Sequence, residues 1–143
     1  MRKIYTIFLF FIINISVLCL NFGIAPTKFE ADLSKNTTFE IYLLNNTSNV
    51  LRLEAFTEIP QGYENNNLND SITIYPRKFS IKPGGKKTIY FRVNKKTNTE
   101  KKKFKSLIVF REIAPTLVSA DKKQNLNIQL NFITEIAVGI YGK

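Results

Sequence analysis

Histidine and tryptophan are absent from this 143-residue chain, and cysteine and methionine occur once each. Without histidine there is no histidine-based catalytic triad, and with one cysteine there is neither a disulfide framework nor a zinc site of the usual ligands. Glycine is sparse at six residues, and no glycine-rich phosphate loop or activated-nucleophile motif occurs. Acidic residues are few, 11 against 21 basic, for a net charge of +10. The carboxylates Glu54, Glu58, Glu64 and Asp70 fall on expected strands and a loop without forming a paired constellation. The chain therefore reads as a non-enzyme that requires no cofactor and no metal. Its function has to reside in shape, edges and charge.

Met1-Arg2-Lys3 precedes an uncharged run from Ile4 to Leu20, the pattern of a secretory signal. Residues 1–22 are expected to be the signal peptide and 23–143 a single domain, with cleavage between Cys19 and Gly23. An uncleaved anchor helix is the alternative, since the run is nearly long enough to cross a bilayer. Leu18 stands where a lipidation signal wants a small residue, so Cys19 is expected to leave with the signal. The exported chain then has no thiol, which suits an oxidising compartment. It keeps 19 basic residues against 11 acidic ones, a charge of +8.

Period-two patterning dominates the rest. Seven strands are expected at Ile24 to Asp32, Thr38 to Leu44, Val50 to Glu58, Ser71 to Tyr75, Lys87 to Asn94, Phe104 to Ile113 and Leu126 to Tyr141. Turn formers separate them, among them Pro60-Gln61-Gly62 and Pro83-Gly84-Gly85. The pattern predicts an all-β, seven-stranded immunoglobulin-like sandwich. Phe39, Ile41 and Leu43 share one face, as do Leu51, Leu53 and Ala55, and Ile89 and Phe91. The Phe104 strand is apolar on both faces, as a central strand is.

The last segment carries Leu126, Ile128, Leu130 and Phe132 on one face and Asn127, Gln129 and Asn131 on the other. Two readings stand side by side. The stripe is either ordinary sandwich core, or an edge strand that lends its apolar side chains to a protein lacking a strand of its own.

Tyr75-Pro76 through Pro83-Gly84-Gly85, followed by Lys86 to Val93, resembles a segment of the periplasmic pilus chaperones of the PapD-like family, where a proline-started strand passes through a Pro-Gly turn into the next. Phe110-Arg111-Glu112-Ile113-Ala114-Pro115 resembles that family's Arg-Glu-Ile-Pro-Pro signature, and Pro26-Thr27-Lys28 and the Leu126 to Phe132 stripe fall where the family has its first strand and its donor strand. The resemblance covers the amino-terminal domain of that family only; whether the chain is a truncated two-domain protein or a single-domain one is open in the sequence. It implies a periplasmic chaperone that binds pilin or fimbrial subunits by donor-strand complementation during pilus assembly and hands them to an outer-membrane usher.

On this resemblance Leu126, Ile128, Leu130 and Phe132 form the subunit-binding donor strand, and Lys28 anchors the subunit's terminal carboxylate; its other reading is a solvated surface cation. The family's second anchoring base is not found: Glu135 or Val138 falls at its place. Arg111 and Glu112 are expected in a structural ion pair near the end of a central strand. An edge strand of this kind also implies a homodimer as a resting state. The competing function is a structural or adhesive immunoglobulin-like module of the cell envelope, because the sandwich alone carries no function.

Lys95-Lys96 and Lys101-Lys102-Lys103, with Lys105, form a basic run in an expected loop. It reads first as a solvated loop and second as a contact for an anionic envelope surface or polymer. Without interleaved aromatics, and in an exported chain, nucleic acid is not an expected partner.

Overall fold

The computed structural model describes residues 20–97, 103–114 and 133–143. Nine strands are formed among them: β1 Phe22–Ala25, β2 Lys28–Ala31, β3 Thr37–Asn45, β4 Leu51–Glu58, β5 Ile72–Tyr75, β6 Lys78–Ile81, β7 Lys86–Val93, β8 Phe104–Glu112 and β9 Glu135–Gly142. They make two sheets, a first of order β1-β3-β7-β5 and a second of order β2-β9-β8-β4-β6. The chain is thus an all-β, immunoglobulin-like sandwich.

The expected strand from Leu126 to Tyr141 is formed, among the described residues, only from Glu135 (β9), and the other expected strands map onto these with two differences. Ile24 to Asp32 is not one strand: Pro26, which has no N–H to give a ladder, separates β1 in the first sheet from β2 in the second. β1 runs antiparallel to β3 with Phe22 opposite Asn45, while β2 runs parallel to β9 with Lys28 opposite Gly139. The second difference is β6, a four-residue strand whose Phe79 and Ile81 are buried against the core.

Alternation places the core where the pattern puts it. Ile41 and Leu43, Leu51, Leu53 and Ala55, Ile89 and Phe91 are all buried between the sheets, and Phe39 packs against them. Phe29, Phe39 and Phe91 form an aromatic cluster with ring centroids 5.0 to 5.3 Å apart. β8 is central in its sheet and apolar on both faces: Ile108 and Phe110 face the core, while Val109, on the outer face, is also buried.

Two local devices fix the loops at one end. Gly84 has φ of +62°, and the Gly85 N–H donates to the Lys82 carbonyl at 2.9 Å, so Pro83-Gly84 occupies the central positions of a tight turn between β6 and β7. Asn45, at the end of β3, is buried with its hydrogen-bonding capacity filled. Its Nδ2 donates to the carbonyls of Asn49, Ile81 and Lys82 at 2.8 to 3.1 Å, and its Oδ1 accepts from the N–H and hydroxyl of Thr47.

Residues just ahead of Gly23 also contact the sandwich. Phe22 is completely buried in the core, the Asn46 N–H donates to the Asn21 carbonyl, and Asn21 Nδ2 donates to Glu112 Oε2 at 2.8 Å. Asn21 and Phe22, which fall inside the expected cleavage window between Cys19 and Gly23, thus pack with the sandwich. Residues 1–19, the body of that expected signal, lie outside the described residues.

Candidate functional site: the half-open strand β9 and its lysine-tyrosine cluster

Strand β9 is flanked along its whole length by β8, from Glu135 opposite Arg111 to Gly142 opposite Phe104. On its other side β2 covers only Gly139 to Gly142. The direction of the remaining backbone groups follows from two hydrogen bonds. The Glu112 N–H donates to the Thr134 carbonyl at 3.0 Å, so Thr134 points toward β8, and the Gly139 N–H donates to the Thr27 carbonyl at 3.1 Å, so Gly139 points away from it. Because these directions alternate along a strand, Glu135 and Ala137 turn their N–H and C=O groups the same way as Gly139. Among the described residues no strand lies beside them. The cause is the crossing at Pro26: at this level the first strand has gone to the other sheet to become β1.

This open rim is apolar on its inner side. Ile136 is half-buried against the core, Val138 and Ile140 are fully buried, and Ile133, just ahead of the strand, is 53% exposed. The expected donor residues Leu126, Ile128, Leu130 and Phe132 lie outside the described residues.

On the outer face of the same sheet, Tyr141 lies between two lysines. Lys28 Nζ stands 5.0 Å from the ring centroid and Lys105 Nζ 5.3 Å, and Lys105 also stands 5.7 Å from the ring of Tyr63. The Tyr141 ring leans back over Gly139, where a Cβ would come within 2.9 Å of it. Glu30 pairs with Lys28 at 3.3 Å and with Lys143. The hydrogen bond from Lys143, and then that from Lys28, hold the Glu30 carboxyl below the ordinary glutamate value. Three lysines against one carboxylate leave the cluster cationic.

The structure brings Lys28 close to a second cation, Lys105. As expected for the Phe104 strand, Lys105 is its second residue, and it lies opposite Tyr141 on β8 rather than in the loop of the basic run it was grouped with. Its phase with Leu107 and Val109 was the available signal. The rest of the basic run is partly engaged as well: Lys96 donates to the Asn67 carbonyl at 3.2 Å and lies 4.6 Å from the Phe104 ring centroid.

Arg111 and Glu112 do not pair with each other, because neighbours on a strand point to opposite faces. Arg111 bonds Glu135 at 2.6 Å, approaches Glu54 at 3.9 Å and covers the ring of Phe56 at 4.6 Å. Glu112 accepts from Asn21. The ion pair is structural, but the partner of Arg111 is Glu135 on the half-open strand.

No protein-family model matches the chain, and no curated protein matches it. Solved structures do. The SafB chaperone, in complex with the SafA pilin of Salmonella enterica, superposes with a TM-score of 0.62 at 7% identity over 90% of this chain and 56% of its own. The YadV chaperone gives a TM-score of 0.60 at 13% identity over 87% of this chain and 52% of its own. WR4, an MSP family member of C. elegans, gives 0.58 at 10% identity over 87% of this chain and 100% of its own. The chain thus spans about half the length of the chaperones it resembles, and these structural neighbours are chaperones and MSP-domain proteins rather than enzymes. At these identities the likeness establishes the fold: an immunoglobulin-like sandwich of the kind found in the amino-terminal domains of pilus chaperones and in MSP domains.

Proposed function

We propose that this domain is an exported, periplasmic chaperone-like sandwich that completes an unfinished pilin or fimbrial subunit by lending it strand β9 and the residues ahead of it. The observation that carries the reading is the first half of β9, where Glu135 and Ala137 present backbone groups to a flank that no strand covers among the described residues, above the half-buried Ile136. Glu135 and Ala137 are exposed, so an added strand exchanges water for ladder hydrogen bonds at these groups, a net gain of about 0.5–1.5 kcal/mol each.

The sequence ahead of β9 supports the same reading. Leu126, Ile128, Leu130 and Phe132 share the even-numbered phase of Ile136, Val138 and Ile140, the inward-facing residues of β9. An apolar side chain of this size contributes about 1.5–3 kcal/mol when it passes from water into a partner's groove. Lys28 and Lys105, on either side of Tyr141, supply the two positive charges with which a subunit's terminal carboxylate is held. The second charge thus comes from β8 rather than from β9.

Co-expression with a candidate pilin tests this. The pilin is expected to become soluble and to co-purify, and Ile128→Asp or Leu130→Asp to abolish the complex while leaving the isolated domain folded. If those variants unfold the isolated domain, the stripe is its own core and the reading fails.

A further inference from the structure

The outer face of the first sheet, on the other side of the molecule from β9, carries three exposed tyrosines: Tyr75 (76%), Tyr42 (53%) and Tyr90 (46%). Their registers set the spacing. Tyr75 is directly opposite Tyr90, and Tyr42 is opposite Thr88, two residues from Tyr90 on β7. Their Cβ atoms therefore step diagonally across three strands, about 5 Å between direct partners and about 7–8 Å on the diagonal. Beyond Tyr42 the strip continues over β1, where Gly23 and Ala25 raise no bulk. There it becomes an open groove of about 500 Å³, with Tyr42 and Leu44 as its apolar wall and Lys86 and Lys87 at its end.

We propose that this strip binds an acidic polysaccharide strand. A sugar ring has an apolar face of C–H bonds and an equator of hydroxyls. Flat tyrosine rings offer stacking surfaces to the first, and the threonines of the same face, Thr88 opposite Tyr42 and Thr38 and Thr73 on either side of Arg92, offer hydrogen bonds to the second. The charge selects the acidic class. Lys86 and Arg92 are exposed on the face against one carboxylate, Glu40, which keeps its charge while accepting from the Tyr42 hydroxyl at 2.6 Å, so the three leave the face net cationic. A protein-docking face has a charge-poor apolar centre, whereas Leu44 is the sole large aliphatic side chain among the described residues that is exposed on this strip.

The test is titration of the full domain, at physiological salt, with an alginate oligosaccharide, a neutral β-glucan oligosaccharide, polyglutamate and oligo-dT. Alginate is expected to bind at least tenfold more tightly than either the neutral glycan or polyglutamate. Tyr90→Ala and Tyr75→Ala are each expected to weaken it at least fivefold, with Lys78→Ala, on the other sheet, as the unchanged control. Equal binding of polyglutamate and alginate, tighter binding of oligo-dT, or indifference to both tyrosine substitutions would each overturn the proposal. So would loss of pilin co-purification in Tyr90→Ala without loss of a glycan, since the face then belongs to a protein. The proposal does not depend on strand donation: Ile128→Asp is expected to leave alginate binding intact whether or not it disrupts a pilin complex.

Discussion

Arg111 holds Glu135 at 2.6 Å across the β8-β9 ladder, with its guanidinium over Phe56 and Glu54 on its far side. Glu135 is the first residue of the uncovered half of β9, so this contact ties the start of a rim that β2 does not secure. Arg111→Ala is expected to lower the thermal midpoint only slightly, because exposed pairs contribute little. Its larger effect is expected at the start of β9, as faster exchange of the Ile136 N–H, which faces β8, than of the Ile140 N–H. Arg111→Lys restores the charge without the planar fork and is expected to recover only part of the protection.

Asn45 is the polar keystone of the loop end. Replacing it with leucine takes the side-chain donor from the buried Ile81 carbonyl and leaves the Lys82 carbonyl with the Gly85 N–H alone. A loss of about 3 kcal/mol is expected, measured by urea denaturation. Asn45→Asp is expected to fare no better, since a carboxylate donates nothing to those carbonyls.

Phe22 anchors β1 in the core. Phe22→Ala is expected to cost about 3–5 kcal/mol, and a chain starting at Gly23 to be destabilised comparably. Intact-mass measurement of the exported protein is expected to show a first residue no later than Asn21.

The lysine cluster gives a pH prediction. Because the folded-state pKa of Glu30 is depressed, its stabilising contribution is complete above the unfolded value and is lost as pH falls through the lower folded value. A carboxyl-carbon NMR titration is expected to show Glu30 titrating below an ordinary glutamate. Lys143→Met is expected to raise that midpoint more than Lys28→Met, since the Lys143 contact is the larger cause.

Much of this was legible in the residues. Alternation in Thr37–Asn45, Leu51–Glu58 and Lys86–Val93 identified the core faces because one face of each is buried and the other wet. Strand β6 escaped the alternation count because its four residues, set between Pro76 and Pro83, give too few alternations, although the family resemblance implied a proline-started strand there. The switch at Pro26 escaped because Ile24 and Phe29 are both apolar, although they lie in strands of different sheets. The Lys28-Tyr141-Lys105 cluster escaped for a different reason: its members come from three strands, and only the register brings them together.

The central claim is that the first half of β9 is an edge kept for a partner. Amide hydrogen exchange at Ala137, followed in the free domain and in a co-purified pilin complex, tests it most directly. The N–H is predicted to exchange rapidly when the domain is alone and to become protected at least tenfold in the complex, while Ile140 changes little. Strong protection of Ala137 in the free domain, or exchange unaltered by a bound pilin, would contradict the account.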